Sequence, residues 1–133
     1  MWKMEYKYKR GQPAFALDRG VYDGYEYLVI SLGRHPCGYV ILTEDNKYFG
    51  KFYDDIPINC HGGLTFSDSK ISFLEWSEKY KCMVRTSIKD KWIIGWDYAH
   101  YGDYTVFDRY GDRHTTEEIL KECKNVINQL RRQ

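Results

Sequence analysis

The segment that most constrains the fold is the last one. Thr115-Thr116-Glu117-Glu118 sets a threonine three residues ahead of a glutamate, the spacing at which each side chain satisfies an orphan amide at a helix start. Ile119, Cys123, Val126, Ile127 and Leu130 then recur at helical spacing and form one apolar stripe. Arg131 and Arg132 complement the negative end of the helix dipole. The spacing predicts a helix over about 116–130. A single stripe needs a surface to cover it, and upstream the chain reads as strands. The expected fold class is therefore α+β: a mainly antiparallel sheet with this one C-terminal amphipathic helix packed on it.

Trp2, Met4, Tyr6 and Tyr8 alternate with Lys3, Glu5, Lys7 and Lys9, as a half-buried strand does. Gly11, Pro13 and Gly20 interrupt the pattern and predict a loop over residues 10–21. Tyr25 to Leu32 reads as a strand rich in β-branched and aromatic residues. Gly33 to Gly38 reads as a turn, with Tyr39 to Leu42 as the antiparallel partner. Residues 43–57 look irregular, and Ile58-Asn59-Cys60 and Leu64-Thr65-Phe66 read as short strands around a His61-Gly62-Gly63 bend. Two more strands are expected at Lys81 to Thr86 and Lys91 to Trp96, joined through residues 87–90. Residues 97–114 read as a long structured loop, a feature often tied to function in compact domains.

At 133 residues the chain fits one domain, 1–133. That length buries enough surface to need no disulfide or metal for stability. Cys37, Cys60, Cys82 and Cys123 include no C-x-x-C pair, so zinc-knuckle and thioredoxin-like readings fall away and free thiols are expected. No apolar run approaches the roughly 20 residues of a spanning helix. Met1 to Tyr6 lacks the apolar centre of a signal peptide. The expected location is the cytoplasm. A net charge of +1 disfavours binding to bulk nucleic acid. Thirteen tyrosines supply flat faces with polar tips, suited to a wet ligand pocket or to homo-oligomer contacts.

Three segments concentrate chemistry. Gly33 to Tyr39 offers Arg34 and His35 to a ligand, or is simply a turn that needs its glycines and proline. In Cys60 to Ser67, the Gly62-Gly63 pair allows positive φ and an anion-binding nest of amides. His61 stands beside it, and the Thr65 and Ser67 hydroxyls alternate to one face. The plain alternative is a strained turn with a structural histidine. In Gly95 to Tyr104, Asp97, His100 and Asp103 lie three apart. With His61 they make a two-histidine, two-aspartate set fit for a divalent metal or for general-base work. They serve equally as a network pinning a loop. Trp96 abuts this segment and offers a face to a base, although tryptophans are mostly core. The chain has no P-loop, no G-x-S-x-G elbow and no H-E-x-x-H.

Cys37-Gly38-Tyr39-Val40, His61-Gly62-Gly63-Leu64-Thr65-Phe66 and Gly95-Trp96-Asp97-Tyr98-Ala99-His100-Tyr101-Gly102-Asp103 together resemble a group of short proteins of bacteriophages, prophages and bacterial genomes. The resemblance covers roughly residues 37–103. It implies a phage-linked accessory role in the host-cell cytoplasm, of the kind that counters host defences, and brings no activity with it. The leading expectation is a binding module for a small phosphorylated or nucleotide-like ligand, sequestering a host immune signal. His61, Gly62 and Gly63 would hold phosphate, Trp96 or a tyrosine would stack a base, and Asp97 or Asp103 would take ribose hydroxyls. No cofactor is expected on that reading. The alternatives are a metal-dependent phosphoesterase-like hydrolase, with His61, Asp97, His100 and Asp103 around a divalent ion, and a protein-binding inhibitor of a host factor.

Overall fold

A computed structural model describes residues 14–31, 35–98 and 115–132. Among them the chain forms seven strands: β1 Phe15–Tyr22, β2 Tyr25–Ser31, β3 Pro36–Leu42, β4 Phe66–Asp68, β5 Ile71–Ser77, β6 Cys82–Ile88 and β7 Trp92–Asp97. A 3-10 turn at Tyr53–Asp55 and the helix α1, Thr116–Arg132, complete the elements. The strands join in one sheet in the order β4-β7-β3-β2-β1-β5-β6. Every pairing is antiparallel except β1 with β5, which is parallel through Phe15 and Leu74. The fold is thus α+β with a mixed, mostly antiparallel sheet.

The helix begins where the sequence places it. The Glu118 amide donates to Thr115 Oγ1 at 3.1 Å, and Ile119, Cys123, Val126, Ile127 and Leu130 are all buried. The strands match less evenly. Residues 15–21, expected as loop, are strand. Their alternation is hidden because a register shift between Ala16 and Asp18 buries Ala16, Leu17 and Asp18 in succession. β1 turns into β2 through Asp23 and Gly24, both at positive φ (52° and 83°), as a two-residue hairpin requires. β5 was not anticipated. Residues 58–60, expected as strand, are not, and β4 begins only at Phe66. β6 and β7, adjacent in sequence, lie far apart in the sheet. The expected strand at residues 2–8 and residues 99–114 of the loop expected over 97–114 lie outside the described residues, and Asp97 ends β7.

β2 and β3 carry core on both faces. Tyr27, Val29, Val40 and Leu42 join Leu17, Ile94 and Trp96 in a first cluster, which also holds the five buried apolar residues of α1. Leu28, Ile30, Cys37, Tyr39 and Ile41 form a second cluster on the other face, completed by Phe73 of β5 and Ile88 of β6 as the sheet curls. Arg19 latches that curl. Its guanidinium pairs with Glu26 of β2 and with Glu75 of β5, and it lies over the Phe73 ring.

Candidate functional site

The third motif enters the structure as the end of β7. Strand alternation sends Trp96 and Tyr98 to the first cluster and Asp97 to the other side, opposite Cys37 of β3. Trp96 Nε1 donates to the Tyr98 hydroxyl at 3.1 Å in a buried bond. Two aromatics of this strand pair, Trp96 and Tyr39, each lie against a glycine on the neighbouring strand. A Cβ on Gly38 would stand 2.4 Å from Trp96 Cζ2, and one on Gly95 would stand 2.4 Å from Tyr39 Cδ1. Gly38 pairs with Trp96 and Gly95 with Tyr39. The glycines of this strand pair therefore make room for rings rather than for backbone bends. Phe66 meets Tyr39 edge-on at 5.4 Å.

The His61 segment is a tight turn in which the Gly63 amide donates to the Cys60 carbonyl at 2.9 Å, with Gly62 and Gly63 at φ 69° and 80°. The two glycines are needed for that geometry. Because the Gly63 amide is bonded within the turn, the paired amides expected to cradle an anion are not both aimed at a ligand. The His61 ring instead stacks on Tyr98, with centroids 4.4 Å apart and planes 18° from parallel. This stack walls a cavity of about 440 Å³ whose remaining lining is Glu118, Lys121, Glu122 and Asn125 of α1. Burial pushes the Tyr98 hydroxyl well above its ordinary pKa, so it stays a neutral donor and acceptor. Burial, with Glu122 second, raises the neighbouring Cys60 thiol to about 12, which removes it as a nucleophile at neutral pH.

A second cavity, about 260 Å³, is lined by His35, Cys37, Tyr39, Thr65, Phe66, Trp96 and Asp97. Thr65 Oγ1 donates to Asp97 Oδ2 at 3.2 Å. His35 Nδ1 lies 3.2 Å from the Pro36 carbonyl and 3.7 Å from Cys37 Sγ. Burial raises Cys37 to about 12, so this thiol too is inert. The Ser67 hydroxyl, expected beside Thr65 at the ligand, accepts the Tyr53 amide at 3.1 Å and serves the chain itself. Trp96 is 1% exposed with Gly38 against its ring, so it is a core side chain and base stacking cannot use that face.

The expected residues are therefore divided. His61 lines one cavity, whereas His35, Thr65, Trp96 and Asp97 line the other. Of the four residues expected around a metal, His61 and Asp97 do not share a cavity. Among the described residues no group of three or more His, Cys, Asp or Glu is placed to hold a metal ion. Arg34, His100 and Asp103 lie outside the described residues. The sequence reading missed Tyr98 as a site residue, and missed the helix side chains altogether because a polar helix face ordinarily reads as solvated. A larger cavity, about 500 Å³, lies by the β1–β2 hairpin and is lined by no residue of the three motifs. Several of its polar groups are engaged in pairs: Glu26 with Arg19, Asp23 with Arg131 of α1, Asp45 with Thr43 and Asn46 with Tyr25. It reads as a consequence of the hairpin.

Fold and site together define a small α+β protein with an aromatic-walled, mixed-charge cavity at one end of its sheet. No protein-family model, no curated protein and no solved structure matches the chain.

Proposed function

We propose that the chain is a binding module for a small nucleotide-like molecule, and that in a phage setting it sequesters a host immune signal in the host-cell cytoplasm. The observation that carries the reading is the His61–Tyr98 stack on the wall of the 440 Å³ cavity. A cavity of this size suits a small ligand. A flat aromatic wall suits a base, since stacking of a base on an aromatic side chain contributes about 1–3 kcal/mol and tolerates any base. Lys121 supplies a cation for phosphate. Glu118 is an acceptor for a ribose hydroxyl or a base N–H group. Two carboxylates beside one lysine make a poor trap for bare phosphate, so base and sugar carry the recognition.

The reading takes α1 to be packed on the sheet, supported by the apolar cluster the two share, because that packing brings Glu118 and Lys121 over His61. Association of copies through tyrosine-rich surfaces is part of the same proposal and does not affect the cavity.

Isothermal titration with AMP, GMP and a cyclic dinucleotide, with inorganic phosphate as control, tests the reading. Native mass spectrometry and metal analysis are run on the same sample. At least one nucleotide should bind intact without metal, phosphate alone should not, and His61→Ala should abolish binding with a nearly unchanged melting temperature. Absence of binding by any nucleotide, or turnover of the bound one, would overturn the proposal.

A further inference from the structure

The segment that carries His61 is held by a row of polar side chains on α1. Glu122, Asn125 and Gln129 stand at i, i+3 and i+7, the spacing that aligns side chains along one face of a helix. The Gln129 side-chain amide brackets Asn59: its Oε1 accepts the Asn59 amide at 2.8 Å, and its Nε2 donates to the Asn59 carbonyl at 2.6 Å. Asn125 Nδ2 donates to Glu122 Oε1 at 2.6 Å and reaches the same Asn59 carbonyl at 3.4 Å. Glu122 Oε2 accepts the His61 amide at 3.2 Å.

Both backbone groups of Asn59 and the amide of His61 therefore end on helix side chains, much as they would end on a neighbouring strand in a sheet. Residues 58–60 are not a strand: the helix supplies the partners of Asn59, while the Ile58 amide and the Cys60 carbonyl bond within the segment. On the apolar side, Ile56 and Ile58 anchor the same segment in the first cluster. The segment is thus fixed from both sides just before the turn that presents His61.

We infer that Glu122 is a positioning residue that sets the His61 ring on Tyr98, with Asn125 and Gln129 holding the segment that leads to it. Glu122 is itself oriented by Asn125, so the carboxylate is fixed before it meets the His61 amide. The ring wall of the cavity is accordingly built in advance of any ligand, which lowers the ordering cost of binding. The effect on affinity rests on the binding function proposed above, whereas the effect on the stack does not.

The two are separated by NMR of histidine-labelled full-length protein, read beside nucleotide titration. Stacking on Tyr98 gives the His61 ring protons a ring-current shift. In Glu122→Ala that shift should collapse toward the position of an exposed histidine, and in Gln129→Ala it should diminish. Glu122→Gln, which keeps one acceptor oxygen for the His61 amide, should retain most of it. Nucleotide affinity should fall about tenfold in Glu122→Ala and largely recover in Glu122→Gln. A folded Glu122→Ala protein with unchanged His61 shifts would overturn the inference, and Gln129→Ala gives the same reading should Glu122→Ala not fold. Shifts that move as expected in a protein that binds no nucleotide would uphold the positioning role and sink the binding function instead.

Discussion

The two faces of the sheet are built from the same strands and closed by different means. On the first face, five buried residues of α1 complete the apolar cluster, and polar helix side chains hold the His61 segment. On the second, strands close over strands: Phe73 and Ile88 arrive by the curl of β5 and β6, with Arg19 latching them to β2. Each face has its own aromatic set against a glycine, Trp96 on Gly38 and Tyr39 on Gly95, and the His61 cavity lies against the helix. A helix presents side chains of any length along its flank, so it can serve the backbone of an irregular segment. A strand edge offers its partners at a fixed spacing. The face with the helix is accordingly the one able to carry a shaped site on a loop.

The largest effect expected from this difference is at Phe73, which is fully buried and carries much of the closure of the second face. Phe73→Ala should cost about 3–5 kcal/mol in urea unfolding. A loss no greater than that of a surface substitution would mean that the second face does not depend on the curl. Next come the paired glycines. Gly38→Ala and Gly95→Ala each place a methyl group 2.4 Å from a ring atom of a buried aromatic, and overpacking of this kind costs about 1–3 kcal/mol. Calorimetry should show both variants melting lower than the parent, and an unchanged melting temperature in either would show that its ring can shift aside. The smallest effect is at the start of α1. Thr115→Ala removes the side-chain acceptor of the Glu118 amide and should lower stability by about 1 kcal/mol. Because α1 enters only the first cluster, that variant should leave the second face intact, measured by alkylation of the buried Cys37 thiol at neutral pH. Faster labelling of Cys37 would show that the two faces unfold as one.

Much of this was legible locally. The capping threonine and the stripe from Ile119 to Leu130 follow from capping spacing and a period of 3.6 residues, and the extended runs at β2, β3, β6 and β7 from β-branched and aromatic content, all of which neighbouring residues set among themselves. The Asp23-Gly24 hairpin signal was equally present in the sequence and went unread. β1 was obscured by its bulge. Gly38 reads in the sequence as a turn residue and sits within β3, whereas Gly95 lies in a strand as expected, and both are explained only by the rings across from them.

What the sequence determined by itself was the one amphipathic helix and the extended runs within β2, β3, β6 and β7, because backbone propensity and apolar spacing act over a few residues. The tertiary structure alone decided how the motifs are shared out. Asp97 and Tyr98 are adjacent in the chain and turn to opposite faces of a strand. His61 therefore joins Tyr98 and the helix, while Thr65 and His35 join Asp97. Long-range pairing made that division, and it also turned Glu122, Asn125 and Gln129 from a solvated helix flank into the support of the His61 segment.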